Sequence, residues 1–286
     1  MASIVVFGMG VAALAAASFP GGGQELAGEP GGRAPGVFEV LASVSDRPQN
    51  VLVVGIDRRP EVTGSRADTI MLARVYPDTG EVRLVSIPRD LLVEVEPGVE
   101  SKINAAYSHN GISGTIDAVE NFSNVYVDHY AVVDFKGFEA IVNALGGLEI
   151  DIEEGQVPSH WEVKDEAQVL HGHRALGYAR YRGTSGGDLD RIKRQQEVLA
   201  ALRSKVLRLR SAEKLPEITR AVVENVETDM SPAQAASLGK SMAQHGPNGL
   251  MTSTQLKGTP DTLPDGSQVL IPDEAANEHI LREFRN

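Results

Sequence analysis

The 286-residue chain contains no cysteine, which excludes disulfides and thiolate chemistry and leaves the cellular compartment open. Positive charge is scarce. Twenty-seven lysines and arginines stand against 39 aspartates and glutamates, a net charge of −12. The broad basic face that duplex nucleic acid requires is therefore missing. Several catalytic signatures are absent too: there is no Gly-x-x-x-x-Gly-Lys-[Ser/Thr] phosphate loop, no Gly-x-Ser-x-Gly elbow and no His-Glu-x-x-His zinc pair. His109, His129, His160, His171 and His173 are scattered and suit ordinary surface or core roles.

Long uncharged runs are also rare. Ser3 to Phe19 is the notable one, rich in Val, Ala, Gly and Met and at the short limit of a membrane span. Residues 1–19 read as a membrane anchor. A cleaved signal ending near Ala15-Ala-Ala-Ser18 is the alternative. The Gly/Pro-rich residues 20–47 read as a flexible linker, and residues 48–286 as one catalytic domain.

Against this acidic background, positive charge is concentrated in one place. From His171 to Arg210 there are ten Lys/Arg and three Asp/Glu, so this segment carries +7 and the rest of the chain −19. Arginine forks match phosphate oxygens two at a time and stay charged at any relevant pH, so the segment reads as a polyanion site. After Asp190, the spacing of Ile192, Leu199, Leu202, Val206 and Leu209 predicts an amphipathic helix. Arg191 and Gln195 fall on its inward side near the N-terminal end, where anions are favoured.

The rest of the chain alternates strand and helix patterns. Val51–Ile56, Thr69–Val75 and Val82–Ile87 read as strands, the last two joined by a turn at Pro77-Asp-Thr-Gly80. Gly114–Asn124 and Lys136–Ala144 read as helices flanking a strand within Val125–Phe135. Gly146-Gly147 ends the second of these before a strand at Leu148–Ile152. A short helix is expected at Leu170–Tyr178. Ser231-Pro-Ala-Gln234 is a capping-box helix start, and a strand at Val269–Ile271 precedes a helix from Asp273. The economical fold is α/β, a three-layer α-β-α sandwich around a mixed central sheet.

If the first and third strands are parallel and the second runs against them, Asp57, Arg66, Asp68 and Arg89 all emerge at one sheet edge. Two carboxylates among arginines suit a hard divalent cation and a phosphate, since magnesium takes one or two carboxylates plus substrate oxygens.

These residues resemble the LytR–CpsA–Psr family over about residues 50–205. The resemblance is carried by Val-Gly-Ile-Asp57, Arg66-Ala-Asp68-Thr, Ser-Ile-Pro-Arg89-Asp90, Lys102-Ile-Asn104-Ala-Ala-Tyr, Val127-Asp-His-Tyr130 with Asp134-Phe-Lys-Gly-Phe138, and Ala144-Leu-Gly-Gly147. Tyr178-Ala-Arg180-Tyr-Arg182 and Asp188-Leu-Asp-Arg191-Ile-Lys-Arg194-Gln195-Gln196 complete it. Asn110-Gly111 and Asn143 depart slightly from the family pattern.

The resemblance implies a membrane-anchored, extracytoplasmic, Mg2+-assisted phosphotransferase. It would move a glycopolymer from a polyprenyl-diphosphate carrier to a peptidoglycan hydroxyl. Asp57 and Asp68 match the metal-binding positions. Arg66, Arg89, Arg180, Arg182, Arg191 and Gln195 match those that hold the diphosphate, and Arg66, Asp68 and Arg89 are expected to act in the transfer. The same residues would also serve a polyprenyl-diphosphate hydrolase or a non-catalytic lipid-diphosphate-binding regulator. A groove for the carrier tail is expected beside Arg89 and Arg191, near Leu199 and Leu202.

Overall fold

The structure is a computed structural model that describes residues 47–57, 66–163, 167–181, 183–184, 188–208, 215–231, 234–235, 238 and 251–285. The expected anchor and nearly all of the linker lie outside these residues. So does Arg182.

Strand β1 (Gln49–Asp57) is apolar from Val51 to Ile56 and its first eight residues are buried, which is the pattern of an inner strand covered on both faces. It pairs antiparallel with β2 (Arg66–Tyr76), which pairs antiparallel with β3 (Glu81–Ile87). The β2–β3 hairpin turns through Gly80, whose φ of 65° suits glycine and whose amide donates to the Tyr76 carbonyl. A small hairpin, β4 (Leu92–Glu96) and β5 (Val99–Lys102), follows.

Helix α1 (Ala105–Ser123) is interrupted at Asn110 and Gly111, where Gly111 takes φ 58°. The helix expected from Gly114 is the half beyond this break. Next come β6 (His129–Asp134), parallel to β1, and α2 (Phe135–Ala144). Gly146 and Gly147, both at positive φ, turn the chain into β7 (Leu148–Ile150), which pairs with β8 (Gln168–Leu170).

Helices α3 (Gly172–Arg180), α4 (Asp188–Leu207) and α5 (Leu215–Asn225) lead to β9 (Val226–Thr228). Strand β10 (Met251–Gln255) is followed by the hairpin β11 (Gly258–Thr262) and β12 (Gln268–Pro272), then α6 (Glu274–Leu281). The central sheet has the order β10-β3-β2-β1-β6-β9 and is mixed. Two local signals fold as their chemistry dictates. Ser231 and Gln234 form a reciprocal capping box, and the Asp273 carboxylate accepts the Ala276 amide at the start of α6.

Strand periodicity splits the core into two. Val51, Val53, Met71, Ala73 and Leu84 face α2 to α5, meeting Phe138, Ile141, Leu176, Tyr178, Leu202 and Ile218. Leu52, Val54, Ile56, Leu72, Val85 and Ile87 face α1, the β4–β5 hairpin and α6, meeting Val93, Val119, Leu281 and Phe284. The expected three-layer sandwich is present. β1, β3, β6 and β10 run the same way, so their C-terminal ends define one edge of the sheet.

The opposite edge is sealed by the C-terminal segment. Buried Arg74 donates to the Phe284 carbonyl (2.9 Å), and the Asn50 amide donates to the same oxygen (2.9 Å).

Candidate active site

The expected gathering at one edge is real. Asp57 ends β1 and pairs with Arg66 at the start of β2, while Arg89 follows the end of β3 by two residues. The β1–β2 register shifts between Gly55 and Ile56. Gly55 opposes Thr69 and Ile56 opposes Ala67, so Asp68 is an extra residue on β2. Such a bulge re-aims side chains. Ala67 and Ile70 both enter the same core layer, which strict alternation would forbid at a spacing of three.

The Asp68 carboxylate accepts from Arg89 (Oδ1 to NH1, 2.7 Å). Arg89 Nε also reaches Asp90 Oδ2 at 3.4 Å, and Lys102 Nζ donates to Asp90 Oδ1 at 2.8 Å. The result is a charge-alternating line, Asp68–Arg89–Asp90–Lys102, with its members about one-third exposed. Burial alone would lower the Arg89 pKa. The bond to Asp68 and the charges of Asp90 and Asp68 outweigh it and hold the guanidinium pKa above its ordinary value.

Arg191 reaches this line from a distant part of the sequence. It lines a cleft of about 740 Å³ together with Arg89, Asp90 and Lys102. The far wall is the β11–β12 hairpin, through Pro260, Asp261, Thr262, Gln268, Val269 and Leu270. Arg180 arrives from α3. Its guanidinium lies 4.2 Å from the centre of the Phe135 ring, and Phe135 directly follows Asp134, the β6 partner of Ile56. Arg180 thus stands at the same sheet edge as Asp57.

Gln195 is half-buried on α4, one turn after Arg191. Arg66 has its backbone in place, while its side chain, like the whole of Arg182, lies outside what is described. Of the expected α4 stripe, Leu202 is buried in the core, and the Ile192, Leu199 and Val206 side chains and all of Leu209 lie outside the described residues. Leu202 does not line the Arg89–Arg191 cleft.

Sequence reasoning missed Arg194. It is 1% exposed, and its NH2 donates to the Tyr181 carbonyl at 2.5 Å while the guanidinium faces the Tyr181 ring. It pins the residue just before Arg182. The signal was present in the four-residue spacing of Arg194, Val198 and Leu202, all buried, but an arginine is not expected to begin an apolar stripe. Asp90 and Lys102 were also given no role, because their pairing depends on the β4–β5 hairpin returning Lys102 beside Leu92.

Helices α3 and α4 are tied together behind the site. The buried Tyr178 hydroxyl donates to Glu197 Oε2 at 2.5 Å. Burial raises the Tyr178 pKa well above the usual tyrosine value, and the bond and charge of Glu197 raise it further. Asn143, one of the departures from the family pattern, accepts the Gly172 amide at the start of α3 (2.9 Å). His129 faces Asp229 and His173 faces Glu139, away from this edge.

No group of three or more His, Cys, Asp or Glu suited to a metal occurs among the described residues. Asp57 and Asp68 are two hard oxygen donors at one edge. Such a set suits magnesium, which keeps waters and takes phosphate oxygens for the rest of its shell, and it does not suit zinc.

Comparison with known proteins matches residues 33–286 to the LytR_cpsA_psr family. The polyisoprenyl-teichoic acid–peptidoglycan teichoic acid transferase TagU of Enterococcus faecalis is 32% identical over 243 residues, spanning 84% of this chain and 79% of that protein. TagU of Bacillus cereus is 31% identical over 254 residues, spanning 87% and 82%. The crystal structure of B. subtilis TagV superposes with a TM-score of 0.70 at 29% identity, covering 84% of this chain and 96% of that one.

Proposed function

Because this chain belongs to the LytR–CpsA–Psr family, we propose that it is a phosphotransferase that moves a glycopolymer from a polyprenyl-diphosphate carrier to a peptidoglycan hydroxyl. The observation that carries the reading is the convergence of Arg89, Lys102 and Arg191 on one cleft beside the Asp57–Asp68 edge.

The chemistry follows from the groups present. Arg89, fixed by Asp68 and Asp90, presents an oriented fork to a phosphate, and Arg191 lines the same cleft. Arg180, Arg182, Arg66 and Gln195 complete the diphosphate grip. A magnesium ion held by Asp57 and Asp68 would add positive charge where the diphosphate binds. The acceptor oxygen forms a bond to the glycan-side phosphorus. The bond from that phosphorus to the bridging oxygen breaks, and its electron pair leaves with polyprenyl phosphate. The acceptor proton ends on the released phosphate or in solvent. Little covalent work falls to the protein, whose part is positioning and charge stabilisation.

Location belongs to the same proposal. No helix among the described residues is long and apolar enough to cross a membrane. The uncharged residues 3–19 would supply the anchor, with the catalytic domain outside the cytoplasm where peptidoglycan lies.

Mass spectrometry of lipid extracted from the purified full-length protein tests the reading. A bound polyprenyl phosphate or diphosphate is expected. Turnover that consumes the diphosphate equally with and without peptidoglycan acceptor would make the protein a hydrolase instead.

A further inference from the structure

The β11–β12 hairpin is not needed to hold a diphosphate, yet it forms a whole wall of the cleft. Its placement is fixed by backbone. Leu270 N donates to the Asp90 carbonyl at 2.9 Å, and Leu91 pairs with Leu270 in a parallel bridge. The hairpin is therefore bonded to the residue that follows Arg89. Behind it, Asn277 of α6 clamps Lys257, accepting its amide at 2.7 Å and donating to its carbonyl at 2.8 Å. Gly258 lets the hairpin lie close, since a Cβ there would come within 3.3 Å of Leu91 Cδ1.

The two walls differ in kind. One carries Arg89, Lys102 and Arg191. The hairpin wall contributes no cation to the cleft lining; it contributes a carboxylate, a hydroxyl, an amide and apolar surface, through Asp261, Thr262, Gln268, Pro260 and Leu270. Thr262 and Gln268 are direct cross-strand partners, and Pro260 and Leu270 are the next pair on the same face. Hydroxyl and amide groups over an apolar base suit the hydroxyls and ring faces of a neutral saccharide. A polyanionic chain would gain no counter-charge from the hairpin, whose charged contribution to the cleft lining is the Asp261 carboxylate.

We infer that the Pro260–Thr262–Gln268–Leu270 face of the β11–β12 hairpin is the saccharide subsite for the acceptor, holding a neutral peptidoglycan sugar so that its hydroxyl faces the phosphate on Arg89. The inference rests on the phosphotransferase reading above. It assigns specificity for the acceptor to residues remote in sequence from every arginine that grips the donor.

The test uses full-length protein in detergent and the double variant Thr262→Ala/Gln268→Ala. Two quantities are measured: affinity for farnesyl diphosphate, and KM for a peptidoglycan glycan-strand fragment as acceptor. The expected result is an acceptor KM raised about tenfold, the factor that losing one or two hydrogen bonds to a neutral ligand carries. Farnesyl diphosphate affinity should change by less than about twofold, because no phosphate contact is removed. Gln268→Asn, with circular dichroism matching the parent, guards against a folding defect and should show a smaller KM rise in the same direction. An unchanged acceptor KM overturns the inference and leaves the phosphotransferase reading intact. A matching loss of farnesyl diphosphate affinity also overturns it, because the hairpin would then hold the donor. Failure of the parent protein to bind farnesyl diphosphate at all would remove the underlying reading first, and this inference with it.

Discussion

Asp68→Asn separates function from stability more cleanly than any other change at the site. In the folded protein the Asp68 carboxylate meets Arg89 at 2.7 Å, with side chains 28% and 35% exposed. An ion pair that open to water contributes roughly 0.2–1 kcal/mol. Asparagine keeps an oxygen that can accept the same Arg89 N–H, so the loss falls in the lower part of that range. For a domain of this size, 1 kcal/mol moves the melting temperature by about 2–4 °C, so a shift below about 3 °C is expected.

The effect on turnover is of another order. Asp68 orients the Arg89 fork and, on the proposed reading, would be one of the two carboxylates that hold a cation. Removing one preorganised electrostatic group at a reacting centre typically costs about 10²–10³ in rate. The assay measures release of polyprenyl phosphate at saturating magnesium beside a thermal melt of the same sample. A variant that keeps more than about a tenth of parental turnover would refute the role of Asp68 derived from that electrostatic magnitude. A melting shift beyond about 8 °C would show instead that the bulge at Asp68 is chiefly structural.

Two further outcomes follow from the support behind the site. Tyr178→Phe strands Glu197 without its donor and should cost about 1–2 kcal/mol at neutral pH, read by denaturant unfolding. Because the folded-state tyrosine pKa is raised, its contribution is fully present below the unfolded value near 10 and is lost as pH rises beyond it, so the parent should weaken at alkaline pH more steeply than the variant. Gly172→Ala places a Cβ against the Glu139 backbone of α2 and should destabilise by about 1–3 kcal/mol through overpacking. It should also displace α3 and weaken diphosphate binding through Arg180, measured by titration with farnesyl diphosphate; unchanged stability would mean that α3 can shift on α2 without cost.

Much of this protein was legible locally. The inner strand at Val51–Ile56, the Gly80 turn, the stop at Gly146-Gly147, the Ser231–Gln234 capping box and the Asp273 cap each depend on residues within a few positions of one another. Their physics is local backbone preference and hydrogen bonding, which a sequence displays directly. The gathering of Asp57, Asp68 and Arg89 at one sheet edge was legible from the strand pattern, and Arg191 joins Arg89 at one cleft.

Tertiary structure decided what those residues face. Arg194 became buried because α4 packs with the Arg194–Val198–Leu202 line inward, a choice set by contact with α3 and the core beside it. Asp68 acquired its aim from a bulge that exists only in register with β1. Asp90 found Lys102 because a short hairpin returns it. The polar β11 strand, Gly258–Thr262, gave no apolar alternation to read, yet it pairs with β12, whose Leu270 amide donates to the Asp90 carbonyl, and so closes the cleft. Each of these depends on pairings between distant segments, whose register is selected by burying the two faces of the sheet together rather than by any local preference.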